Sequence, residues 1–225
     1  MKDYYQKKLA AERLMECYRV ASPRVRQYMD AEISHVLSKI KPGDRVLDLG
    51  CGFGRVMPDL AQKAALVVGI DNSFPSLGLA REKIHTLPRC RLVQANALRL
   101  SFKAHCFDVV VCIQNGISAF HVDRQELIKE SLRVTRPGGI VLFSSYSVRF
   151  WNHRLEWFQQ QAAAGLLGEI DMEKTRDGLI VCKDGFTATT VSPAAFLSLT
   201  SGLPVRTSII EVDHSSLFCE IIPLS

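Results

Sequence analysis

The chain contains no apolar run long enough to cross a bilayer. Stretches such as Val109-Val110-Val111 are strand length, far short of the roughly 20 residues a membrane helix needs. Its basic start is not followed by the apolar segment of a signal peptide, so a soluble, cytoplasmic protein is expected. The seven cysteines (17, 51, 90, 106, 112, 182 and 219) form no C-x-x-C pair and no Cys/His spacing suited to zinc. Reduced thiols and no metal site follow. No internal repeat or low-complexity tract occurs.

The 225 residues, 47% of them apolar and 23% charged, fit an ordinary globular domain that buries roughly 70% of its extended surface and needs no staples. The net charge of +5 is concentrated early: residues 1 to 45 hold ten basic and six acidic side chains, the remainder eighteen and seventeen. A solvated helix face accounts for this surplus, and a nucleic-acid partner is not implied.

Two helices are predicted first. Asp3 to Val20 carries Leu9, Leu14, Cys17 and Tyr18 at helical steps; Ser22 to Ile40 opens on a Ser-Pro cap and repeats Val25, Tyr28, Met29, Ile33, Val36 and Leu37. Beyond Lys41-Pro42-Gly43-Asp44, β-branched runs alternate with helical stretches. Strands are expected at Val46 to Leu49, Leu66 to Ile70, Arg91 to Ala95, Phe107 to Ile113 and Ile140 to Ser144. Such alternation predicts an α/β fold with a mainly parallel sheet covered on both faces. An aromatic-rich segment from Tyr146 to Phe158, a small-residue helix and a hairpin around Leu179 to Thr190 read as an insertion. A helix from Ser192 to Leu199 and an antiparallel pair, Thr207 to Val212 and Leu217 to Ile222, close the chain.

The sharpest motif is Asp48-Leu49-Gly50-Cys51-Gly52-Phe53-Gly54, an apolar strand running into a glycine-rich turn and a helix. Missing side chains let the backbone turn tightly against a ligand while helix N–H groups point toward it. A second strand ends at Asp71, 21 residues after Gly50, where an acidic group suits ribose hydroxyls. The dinucleotide pattern G-x-G-x-x-G fails at Arg55, and no G-x-x-x-x-G-K-[S/T] exists. Asp48 would repel a pyrophosphate; a cofactor with an ammonium group and no phosphate fits better.

Residues 45 to 146 resemble the class I S-adenosylmethionine-dependent methyltransferase family. Beyond the glycine loop and Asp71, Leu92 to Phe102 is similar to the end of the family's third strand, Phe107 to Asn115 to its fourth, and Leu132 to Gly139 to the turn into its fifth. The resemblance implies a Rossmann-like, doubly wound, mainly parallel seven-stranded sheet with an antiparallel C-terminal strand. It implies a methyltransferase domain over 45–225 behind a helical cap of residues 1–44, with a substrate lid over about 146–190. S-adenosylmethionine is the implied cofactor. Asp48, Gly50, Cys51, Gly52, Gly54 and Gln114 would hold its methionine portion, Asp71 its ribose, and Asn72, Asn96 and Ala97 its adenine. Asn96 stands where the family commonly has Asp, and its amide adds donors that a carboxylate lacks.

The sulfonium brings its own electrophilic methyl, so alignment and water exclusion suffice unless the acceptor must lose a proton. Candidate catalytic groups are His121 and Tyr146, and candidate substrate contacts are Tyr5, Trp151 and Arg154; each also fits an ordinary surface or core role. Cys112-Ile113-Gln114-Asn115 replaces the Asn-Pro-Pro-Tyr type of sequence found in enzymes that methylate nucleobase or glutamine amines, and no Pro-Cys pair is present. A small-molecule acceptor is therefore expected. An RNA or other macromolecular methyltransferase and a non-catalytic cofactor-binding regulator are the alternatives. Acceptor identity and oligomeric state are not encoded in any motif.

Overall fold

The computed structural model describes Tyr4 and residues 8–224. The first predicted helix is interrupted. A turn in which the Lys8 and Leu9 N–H groups donate to the Tyr4 carbonyl ends before Ala11, whose φ is 54°, and helix α1 spans only Glu12–Arg19. At the break the Ala11 N–H donates to Ser76 Oγ at 3.0 Å, a tertiary contact that holds the bend. Helix α2 (Pro23–Lys39) starts where the Ser-Pro pair predicts, with Ser22 Oγ accepting from the Val25 N–H.

Strands β1 (Arg45–Leu49), β2 (Leu66–Asp71), β3 (Cys90–Gln94), β4 (Phe107–Cys112), β5 (Thr135–Tyr146), β8 (Val205–Val212) and β9 (Ser216–Pro223) form one seven-stranded sheet in the order β3-β2-β1-β4-β5-β9-β8. All are parallel except β9, which runs against both β5 and β8. The sheet is thus Rossmann-like and doubly wound, as expected. Helices α3 (Met57–Ala61), α4 (Phe74–Ile84), α5 (Gly116–Ala119) and α6 (Arg124–Val134) make the crossovers. Strand β5 begins five residues earlier than the sequence suggests. Thr135 pairs with Phe107, and the register shifts before Val109 joins Ile140, leaving Arg136-Pro137-Gly138-Gly139 as a bulge within the strand rather than a turn before it.

After β5 a short 3₁₀ turn (Val148–Phe150) leads into α7 (Trp151–Ala163). A separate two-stranded pair, β6 (Ile180–Val181) with β7 (Thr187–Ala188), matches the predicted hairpin, and α8 (Pro193–Thr200) precedes β8.

Two cores fill the sheet faces. Val46, Val67, Val109 and Leu142 pack with Ile33 and Val36 of α2 and with Ile40 just beyond it on one side, and Leu47, Val110, Val141 and Phe143 pack with α6 and α8 on the other. A third cluster lies above the strand ends, where Tyr4, Leu9, Cys17, Tyr28, Tyr146, Phe150, Trp157, Phe158 and Phe186 meet. Among the described residues, no helix is long and apolar enough to cross a membrane.

Candidate functional site

Chain order reverses between β1 and β4, and their carboxyl ends open into a cavity of about 200 Å³. Open α/β sheets bind ligands at such a switch point. The floor comes from the sheet: Asp48 at the end of β1, Asp71 at the end of β2, and Ile113 and Gln114 after β4. Roof and walls come from α1 (Leu14, Cys17, Tyr18), α7 (Trp157, Phe158, Gln161) and Phe186.

The first turn is shaped by its glycines. Gly50 has φ 75°, and a Cβ there would come within 2.5 Å of the Phe120 ring. Gly54 has φ 73° and lies against Ala80, where a Cβ would sit 3.1 Å from that methyl. The Gly52 N–H donates to Asp71 Oδ2 at 2.9 Å, and Asp71 Oδ1 accepts from the Ser73 N–H at 2.8 Å. The second strand end therefore fastens the turn that follows the first.

Electrostatics single out Asp48. It is 3% exposed, its Oδ2 has no hydrogen-bond partner, and burial, aided by the nearby Asp71 charge and opposed by Arg55, pushes its carboxyl up to about 7. A buried, partnerless carboxylate oxygen favours a cation beside it. Asp71 is also raised by burial, against the pull of its backbone N–H donors.

Behind the Gln114 corner, Glu32 of α2 is fully buried. Its Oε2 accepts from the Gln114 N–H at 2.7 Å, and Oε1 accepts from the Ser216 hydroxyl. Gln114 and Asn115 both hold positive φ, 56° and 61°, a conformation that costs a non-glycine residue and persists only where surroundings enforce it. Glu32 below, with Ser145 Oγ and the Thr189 carbonyl on the Asn115 amide, supplies that enforcement. Gln114 Oε1 accepts from the Tyr18 hydroxyl at 3.0 Å, while Gln114 Nε2 and the Tyr28 hydroxyl have no partner.

Of the residues singled out from sequence, Asp48, Gly50, Cys51, Gly52, Asp71, Asn72, Gln114 and Tyr146 line the cavity. Gly54 supports it from beneath. Asn96 and Ala97 are not in the lining: Asn96 is exposed, and its Oδ1 accepts from the Leu98 N–H at 2.9 Å. They stand next to the site because the Ala95 N–H donates to the Asp71 carbonyl.

His121, at φ 50°, turns away into a separate depression with Ser118, Arg124 and Thr189; burial lowers its pKa. Arg154 is fully buried, donating to the Gly178 and Ala188 carbonyls with its guanidinium 4.6 Å from the Tyr146 ring centre. It props the wall from outside, and Trp151 packs beside it. Tyr5 lies outside the described residues. Sequence reasoning did not assign Tyr18, Tyr28, Glu32 or Arg55 to the site. The helical periodicity of Tyr18 and Tyr28 reads as ordinary core, Glu32 carries no signal in the sequence, and Arg55 marks only the place where a third glycine is missing.

Comparisons with known proteins bear on the family and the fold. Residues 46–139 match the family model described as a methyltransferase domain. A ubiquinone biosynthesis O-methyltransferase of Citrobacter koseri is 35% identical over 108 residues, 46% of this chain and 43% of that relative, so the chain spans less than half the relative's length. A crystal structure of a Pyrococcus horikoshii protein superposes with a TM-score of 0.66 over 99% of both chains at 20% identity. A DhpI–SAM–HEP complex superposes with a TM-score of 0.65 over 98% of this chain and 95% of that one, also at 20% identity.

Proposed function

We propose that this chain is a class I S-adenosylmethionine-dependent methyltransferase that moves a methyl group to a small-molecule acceptor, a reading supported by the match of residues 46–139 to a methyltransferase-domain model. The observation that carries the reading is the partnerless Asp48 Oδ2, buried at a switch point beside a turn whose Gly50 leaves no room for a side chain. Residues of this kind fit a cationic amino-acid nucleoside.

When bound, S-adenosylmethionine supplies a methyl on a positively charged sulfur. Asp48 and the Gly50 to Gly52 backbone would receive the amino-acid end together with Gln114. Asp71 would accept from ribose hydroxyls, since a carboxylate that already takes the Gly52 and Ser73 N–H groups keeps further lone pairs. Asn72, Asn96 and Ala97 would border the adenine.

The acceptor would occupy the aromatic end, between Tyr18, Tyr28, Tyr146, Trp157 and Phe158. There the chain would align and dry rather than deprotonate: burial raises the phenols of Tyr28 and Tyr146 above their ordinary value, so they stay protonated and could donate to an acceptor. Residues 1–44 act as a cap and 146–190 as a lid in this reading, Trp151 and Arg154 shaping the wall rather than touching the acceptor. His121 would serve only an acceptor long enough to reach its depression. Seven free thiols suit a reducing, cytoplasmic setting.

The test offers methyl-labelled S-adenosylmethionine to the protein with a metabolite extract in one arm and total RNA in the other. Label in a small product is expected. Label only in RNA sinks the small-molecule acceptor, and tight cofactor binding without any transfer favours a regulatory role.

A further inference from the structure

We propose that Arg55 is a receptor for a ligand carboxylate inside the cavity. It follows Gly54 directly and shares the cavity lining with Asp48, Asp71 and Tyr18. Its Nε and Nη2 are both buried and neither has a hydrogen-bond partner. Those two nitrogens lie on one edge of the guanidinium, the fork whose paired N–H groups match the two oxygens of a carboxylate. The guanidinium is restrained by its neighbour: its carbon sits 4.9 Å from the centre of the Tyr18 ring, and Tyr18 is tied to Gln114.

A cationic edge held in place and left without an acceptor is costly unless something arrives to fill it. The protein's own carboxylates do not: neither Asp48 nor Asp71 hydrogen-bonds these two atoms, and Asp48 keeps its own orphan oxygen in the same cavity. Opposite charges, each unsatisfied and separately anchored, suit a ligand with an ammonium for one and a carboxylate for the other. Two sources could bring that carboxylate: the amino-acid end of the cofactor, or an acid group on the acceptor. The first source rests on the function proposed above; the second does not.

Calorimetry on the full chain separates them. S-adenosylhomocysteine and 5′-methylthioadenosine share the adenosyl thioether but only the former has an amino-acid end, and benzoate is offered to the protein with and without saturating S-adenosylhomocysteine. Expected for the cofactor source is at least a tenfold loss of S-adenosylhomocysteine affinity in Arg55→Met with 5′-methylthioadenosine affinity unchanged. Expected for the acceptor source is unchanged S-adenosylhomocysteine affinity but loss of benzoate binding. Arg55→Lys, which keeps the charge and removes the fork, should fall between wild type and Arg55→Met, and it carries the same arms should Arg55→Met fail to show a normal thermal transition. Changes below twofold for every ligand overturn the proposal. If the wild type binds neither adenosyl compound, the methyl-donor reading fails on its own and the benzoate arm decides Arg55, with no benzoate binding overturning it.

Discussion

Asp48→Asn should make the ligand-free protein more stable at neutral pH while removing the charge that receives a cation. In the folded chain, burial and then the Asp71 charge raise the Asp48 carboxyl from its ordinary 3.8 to about 7. The unfolded chain has no such environment and releases the proton near the ordinary value. The folded state therefore holds the proton more tightly, so this group's stability is fully present below about pH 4 and is lost as pH rises toward 7. A gap of about 3 pH units at about 1.36 kcal/mol each amounts to about 4 kcal/mol of cost above pH 7. The amide carries no charge to bury and should recover about 2–4 kcal/mol of it. Urea unfolding of both proteins at whole pH steps from 4 to 8 measures the difference. It should be near zero at pH 4, widen by about 1.4 kcal/mol per step, and level off above 7. A difference that stays flat across that range refutes the burial cost assigned to Asp48.

Asp71→Ala removes the acceptor for the Gly52 and Ser73 N–H groups and should weaken S-adenosylhomocysteine binding by about 1–3 kcal/mol; an unchanged calorimetric affinity counts against the ribose assignment. Gly50→Ala forces a methyl into the Phe120 ring at a backbone angle that disfavours it, so stability should fall by about 2 kcal/mol or more, read as a lowered thermal midpoint. A midpoint equal to wild type would mean the turn is not held as described. Trp157→Phe removes the 2.8 Å bond from Nε1 to the Cys17 carbonyl and should cost about 1–2 kcal/mol, with faster amide exchange across α1. Exchange that stays as slow as wild type would dissociate α1 from α7.

The sheet was legible because its causes are local. Val46 to Leu49, Leu66 to Ile70 and Val109 to Val111 are β-branched or leucine runs that need two covered faces, and the Ser-Pro and glycine signals mark the elements around them. What escaped depends on partners far along the chain. Nothing near Ala11 announces a positive φ, since the contact that holds the bend is with Ser76, 65 residues away. Likewise the left-handed pair Gln114 and Asn115 is enforced by Glu32, Ser145 and Thr189, and no composition rule links them. Arg136-Pro137-Gly138-Gly139 carries genuine turn chemistry, yet neighbouring β4 captures Thr135 and turns the motif into a bulge. In sequence, Arg55 is only a departure from the G-x-G-x-x-G pattern; its unpaired guanidinium edge arises from the surrounding fold and leaves no mark in the motif.

Tyr4 and residues 8–20 are tied to both sides of the cavity. Tyr4 donates to Asp184 at 2.6 Å, Ala11 to Ser76, and Arg13 to the Gly165 and Leu166 carbonyls, while Trp157 donates to Cys17. Proteolytic clipping behind Val20 would leave every strand of the seven intact, yet it would turn the rings of Trp157, Phe158 and Phe186 out to water. Such a shortened molecule should fold and then clump, its greasy face seeking another like itself.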